Sequence, residues 1–305
     1  MPAGGAAASL LQGNPTLSLG DITVGMADAL CPPFSSWPGV YQAFLSDGLR
    51  QASEVTFACG SEQHRPADDR FVCACDLDIW RYGHVDGTGA YRFHHRDGSS
   101  YLWAVPGPEY GRVDIWTHAE AGRRPVPLRY PVDKVLFMGV LAHRSGCIVH
   151  SCGWNCQGHA IVFPGVSGAG KSTLSRQLMA AGAGAVLSDD RMVLRNGPDG
   201  FRAWGTPWPG DALQARNESA PLAALCFIEK SPVNYVRPIQ PADALRRLAA
   251  TTSIPWYLPE LRDRVLPLLE QLVFAVPVFR LGFRPEPDVV DCLLPLLEDA
   301  GRRPT

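Results

Sequence analysis

The chain has 305 residues, 46% of them hydrophobic and 19% charged, with 28 basic residues against 30 acidic ones and a formal net charge of -2. That length buries a sizeable core and favours two packed units over one. The near-neutral balance excludes broad electrostatic capture of nucleic acid or of an anionic membrane surface, and no apolar run approaches the ~20 residues that span a bilayer.

Residues 1–20 are small and polar and are expected to fray as a disordered N-terminus. Met1 to Leu11 lacks a basic stretch followed by a sustained apolar one, and the nine cysteines are an odd count. Both features predict a cytoplasmic chain with reduced thiols. From 21 to 129 the sequence breaks into short apolar or alternating pieces at 53–59, 71–76, 90–94, 101–105 and 113–117, punctuated by Asp-Gly at 86–87 and 97–98. This pattern predicts a mainly antiparallel β domain. The pair Cys73 and Cys75 is expected to share one strand face. Residues 128–131 read as a hinge to a second domain, 130–305.

The second half alternates element types. A helix is expected over 132–143, strands over 146–152 and 160–163, a glycine-rich loop, and then a helix over 171–181 closed by Gly182 and Gly184. Strands follow at 185–188, 192–195, 201–204, 223–229, 235–239 and 278–283. Helices are expected at 242–251, 258–274 and 288–300. Strand–loop–helix–strand order predicts an α/β core.

Gly165-Val166-Ser167-Gly168-Ala169-Gly170-Lys171-Ser172 fits G-x-x-x-x-G-K-[ST] between an apolar strand and a helix, the context this motif requires. Glycines let successive backbone N–H groups curl around a phosphate, and a helix N-terminus adds its positive end to the same anion. Lys171 is placed to reach the outer phosphates of a triphosphate, and Ser172 to meet its Mg²⁺. Asp189 and Asp190 end the next strand, at the sheet edge that carries the loop. One carboxylate suits the metal and the other a hydroxyl proton; a solvated turn is the competing explanation. His150 lies fifteen residues before Gly165, and a turn near Gln157-Gly158 would return it beside the loop. There it is either an active-site imidazole or a structural histidine.

His150 at this spacing, the GVSGAGKS loop and Ser188-Asp189-Asp190 together resemble the catalytic core of HPr serine kinase/phosphorylases. That core is similar to ATP-dependent phosphoenolpyruvate carboxykinase. The likeness is closer still to HPr-kinase-related proteins that accompany peptide natural-product genes. It takes in Pro131-Val132-Asp133-Lys134-Val135-Leu136 upstream, and Gly205-Thr206-Pro207-Trp208-Pro209-Gly210 and Ala220-Pro221-Leu222-Ala223-Ala224-Leu225 downstream.

The resemblance implies an α/β core of that type and binding of ATP and Mg²⁺. It implies Asp190 as base for an acceptor hydroxyl, and Ser172 and Asp189 at the metal. His150 and Lys171 join the catalytic set, and Thr173 the nucleotide-binding loop. The acceptor it implies is a serine of a peptide or protein, and the assembly a homo-oligomer. Two readings from the residues alone stay open: a kinase of a small hydroxylated metabolite, and a nucleotide-binding regulatory module with little turnover. The family has Glu where this chain has Thr173, and a glutamate in an E-[IV]-R-G segment for which Glu218 or Glu229 is only a loose counterpart. HPr is therefore not the expected acceptor.

Cys147, His150, Cys152, Cys156 and His159 fall within thirteen residues, but without a C-x-x-C pair they read as free thiols and separate imidazoles. Trp204 and Trp208 are expected either to line a pocket or to pack a rigid turn. Arg191, Arg195 and Arg237 are candidates for stabilising transferred charge.

Overall fold

A computed structural model describes residues 15–26, 37–47, 53–60, 62–117 and 128–301. The chain divides into two units, Met1–Leu128 and Arg129–Thr305. No helix among the described residues is long and apolar enough to cross a membrane.

The described residues of the first unit form a nine-stranded mixed sheet. In chain order its elements are β1 (Pro15–Leu19), β2 (Ile22–Met26), the short α1 (Gly39–Gln42), β3 (Leu45–Asp47) and β4 (Val55–Cys59), then β5 (Phe71–Leu77), β6 (Trp80–Val85), β7 (Thr88–His94), β8 (Ser100–Pro106) and β9 (Arg112–Thr117). The strands lie in the order β3-β1-β2-β4-β9-β8-β7-β6-β5. The antiparallel meander from β5 to β9 follows the turn signals. Asp86 and Gly87 take φ of 51° and 81°, the left-handed pair that a two-residue hairpin needs to match strand twist. β4 departs from the expected pattern by pairing in parallel with both β2 and β9.

Part of the stretch expected to fray is strand: Leu17 and Leu19 of β1 are fully buried. Cys73 and Cys75 do not share a face in register. A bulge at Ala74 pairs Cys73 with Gly83 and Cys75 with Tyr82, neighbours that face opposite ways along β6.

The second unit holds α2 (Val132–Ala142), β10 (Gly146–Cys156), β11 (His159–Pro164), α3 (Lys171–Ala180), β12 (Ala185–Ser188), β13 (Arg191–Gly197), β14 (Gly200–Trp204) and β15 (Ser219–Lys230). After them come β16 (Tyr235–Pro238), α4 (Pro241–Thr251), α5 (Pro259–Ala275), β17 (Val278–Phe283) and α6 (Val289–Gly301). Eight strands form a mixed sheet in which β10 and β15 serve two layers. Their outer halves pair with the hairpin β13–β14, and their inner halves flank β11. β11, β15 and β17 run parallel, so their carboxyl ends share one edge.

Trp154, Phe163, Leu174, Leu178, Leu281 and Leu293 anchor the core between this sheet and α3 and α6. On α2 every residue but Lys134 is buried. Buried Asp133 accepts a hydrogen bond from Trp208 Nε1 at 2.7 Å, which ties the 205–210 turn to this helix. Trp208→Phe removes that donor from the buried carboxylate. It is expected to cost about 2 kcal/mol in urea unfolding; an unchanged midpoint would show the tie to be incidental.

Candidate active site

Backbone pairing alone gathers the site. β11 runs antiparallel to β10, so the strand that ends at the glycine loop returns beside His150, and Gly165 N donates to His150 O at 3.1 Å. On the other side of β10, His150 pairs with Arg191, and Ser151 N donates to Asp190 O at 3.0 Å. The hairpin turn at Gln157 and Gly158, with φ of 55° and 80°, fixes this register.

Within the loop, Gly168 and Gly170 adopt φ of 78° and 106°, which side-chain-bearing residues rarely reach, and α3 starts directly after them. Its first-turn N–H groups, lacking intrahelical acceptors, face the loop. A cavity of about 430 Å³ opens here, lined by Ser167, Gly168, Gly170, Lys171, Ser172, Thr173, Arg176, His150, Asp190, Gly210 and Asp211. Gly165, Val166 and Ala169 contribute backbone rather than lining. Lys171 Nζ donates to Gly165 O at 2.8 Å and to Val166 O at 3.1 Å, and Ala169 N donates to Val166 O. Burial lowers the Lys171 amine from its usual range.

Facing the loop, His150 Nε2 donates to Asp190 Oδ1 at 2.9 Å and Arg191 Nε to Asp190 Oδ2 at 3.0 Å. Burial works to raise the carboxyl, but the His150 hydrogen bond and the Arg191 charge prevail and hold it at about 2. Asp190 is therefore ionised at neutral pH, and each of its oxygens keeps a lone pair for a further donor.

Lys134 adds a further cation on this flank, 5.8 Å from the Tyr130 ring. Burial and the Arg191 charge bring its amine down from 10.5 to about 8, against the opposing pull of Asp190 and Asp133. Below pH 8 the folded chain thus holds a charge it disfavours. Lys134→Met is expected to stabilise the protein by about 1–2 kcal/mol at pH 7, a figure reduced for partial solvation. Between about 8 and 10.5 the unfolded chain binds the extra proton, so wild-type stability rises with pH and the gap to the variant closes. Urea titrations across that range check the sign; a widening gap would overturn it.

Other expected residues sit elsewhere. Asp189 is 1% exposed and does not line the cavity; its two oxygens accept backbone N–H groups from Gly210, Ala212 and Gln214. Glu229 is paired with Arg247 and Arg280, and Glu218 with Arg216, so neither faces the loop. Arg195 lies over Trp204 and Arg237 over Tyr235, leaving Arg191 as the member of that trio at the site. Trp208 is a buried anchor rather than a pocket wall. Cys147 and Cys152 are buried free thiols that desolvation pushes up to about 12.

Two lining residues escaped the sequence reading. Arg176 lies four residues after Ser172, a spacing that puts both on one helical face. Asp211 is carried by a loop with no periodic signal at all.

Oxygen donors at the cavity, namely the Ser172 hydroxyl and the carboxylates of Asp190 and Asp211, suit Mg²⁺, which is held by one or two protein groups together with substrate phosphates. No cluster of three or more His, Cys, Asp or Glu able to hold a metal occurs among the described residues. Measured against models of known protein families and against curated protein sequences, the chain matches none.

Proposed function

We propose that the second unit is an ATP- and Mg²⁺-dependent phosphotransferase that moves a phosphoryl group to a hydroxyl, a serine of a peptide or protein. The observation that carries this reading is the ionised Asp190, bridged by His150 and Arg191, across one cavity from the glycine loop and Lys171. The spacing of His150, GVSGAGKS and the aspartate pair, which resembles HPr kinases, supports the same assignment.

The chain's own groups divide the work as follows. The loop amides, the α3 N-terminus and Lys171 hold the triphosphate. Arg176, lining the same cavity, adds positive charge to it. Asp190 accepts a hydrogen bond from the acceptor hydroxyl, orients it in line and takes its proton as the new P–O bond forms and the bond from the γ-phosphorus to the bridging oxygen breaks, releasing ADP. A base at about 2 is weak, which suits a loose transfer in which the proton leaves late. His150 and Arg191 fix the carboxylate in one orientation. Mg²⁺, when bound, neutralises phosphate charge.

The same low basicity favours a second reading, a nucleotide-binding module with little turnover. Incubation with γ-labelled ATP, Mg²⁺ and serine-bearing peptides separates the two. Transfer adds about 80 daltons to an acceptor, the mass of one HPO₃ group. Tight binding of ATP with neither transfer nor hydrolysis would favour the module.

A further inference from the structure

The fully buried Asp189 carboxylate has a task of its own. Oδ1 accepts from Gly210 N at 2.9 Å and Gln214 N at 3.1 Å, and Oδ2 from Ala212 N at 2.6 Å. A carboxylate satisfied by three backbone amides is an anchor for the segment that offers them. The fit is close at Gly210, where an added Cβ would come within 3.0 Å of Asp189 Oδ2 and 3.1 Å of Asp190 Cβ. The segment is stitched further along its length. Leu213 N donates to Gly210 O, Ser188 bridges to Ala215, and Arg216 N donates to Leu187 O at 2.9 Å. Leu213 is held at φ 54°, a left-handed conformation that a branched aliphatic residue takes only under constraint.

The consequence falls on the residue between the first two anchored amides. Asp211 is exposed and lines the same cavity as Ser172 and Lys171, whereas Asp189 does not. Glu218 and Glu229 are engaged with arginines. Asp211 is thus the carboxylate that joins Asp190 along the cavity wall.

We propose that Asp189 is a positioning residue that clamps the 210–214 rim, and that Asp211 is the rim's carboxylate for the divalent cation of a bound nucleoside triphosphate. This rests on the phosphotransferase reading and reassigns its metal contact from Asp189 to Asp211. A short backbone clamp places a flexible acid more exactly than side-chain packing on an exposed loop would.

The test is an electron paramagnetic resonance titration of Mn²⁺ with a non-hydrolysable ATP analogue, beside amide exchange of residues 210–214. Asp211→Asn is expected to weaken Mn²⁺ binding to the protein–nucleotide complex roughly tenfold, with metal-free nucleotide affinity unchanged and Asp211→Glu restoring part of the loss. Asp189→Asn turns an acceptor into a donor facing the Ala212 amide. It is expected to speed exchange across 210–214 and to weaken Mn²⁺ in proportion. Wild-type Mn²⁺ affinity in Asp211→Asn overturns the proposal. So does metal loss in Asp189→Asn with exchange at 210–214 unaltered, which would make Asp189 a direct ligand. Failure of the wild type to bind nucleotide at all overturns the phosphotransferase reading and this proposal together, an outcome separate from the other two.

Discussion

Asp190→Asn is expected to lower phosphoryl transfer about a thousandfold while nucleotide affinity stays within about threefold of wild type, a base loss in the usual range for proton transfer. The amide keeps the shape of the carboxylate but cannot take a proton. It also presents a donor to either His150 Nε2 or Arg191 Nε, which now approach Asp190 at 2.9 and 3.0 Å. Affinity survives because the loop amides and Lys171 are untouched. Stability changes with a definite sign. The carboxyl falls from 3.8 to about 2 on folding, so its contribution is complete above pH 4 and lost as pH drops through 2. Its side chain is 30% exposed, so about 1–2 kcal/mol is at stake. The urea midpoint of the variant is expected to be lower at pH 6 and to meet that of wild type near pH 2. Single-turnover rates decide the catalytic part: unchanged transfer would remove Asp190 from the role of base, whatever the stability curves do.

Legibility in the sequence follows the range of the interactions concerned. The glycine loop could be read because its chemistry is local: three glycines, a lysine and two serines within eight residues dictate backbone shape and charge together. His150 could be placed because a single tight turn at Gln157-Gly158 sets the register of β10 on β11. The exact division of labour between Asp189 and Asp190 was not legible. Adjacent residues leaving a strand diverge, and which one meets the cavity depends on the 210–214 segment, more than twenty residues away, supplying amides to the other. Asp211 is hidden for the same reason. In the first unit β1 was missed because its two buried leucines alternate with small and polar residues in a stretch of the same composition, and the parallel pairings of β4 join segments far apart in the chain. The Ala74 bulge shows the same limit at the scale of one residue, since alternation assumes an unbroken ladder.

Lys171→Met is expected to raise the dissociation constant for ATP by roughly 30- to 150-fold, the loss of a charge-assisted contact worth about 2–3 kcal/mol. Met keeps the apolar stem and its packing while removing the ammonium, so the measurement isolates charge. In the wild type Nζ already spends two donors on Gly165 O and Val166 O. Reaching a phosphate therefore means exchanging one of these bonds or using the third donor. This also ties the amine to the loop's shape: without it Gly165 O loses this donor and Val166 O keeps only Ala169 N, and the loop is expected to exchange its amides faster. Lys171→Arg separates the two contributions. The planar guanidinium carries the same charge but does not reproduce a point contact within a narrow backbone ring. If charge alone mattered, Arg would restore affinity; if geometry is equally needed, Arg binds ATP little better than Met. Calorimetric titration with ATP reads both variants. Arg176→Ala is the internal control, since that cation lines the same cavity one helical turn further on and its loss is expected to cost less than tenfold. Wild-type affinity in Lys171→Met would mean that the triphosphate does not reach this loop, and the cavity facing Asp190 would then need a different occupant.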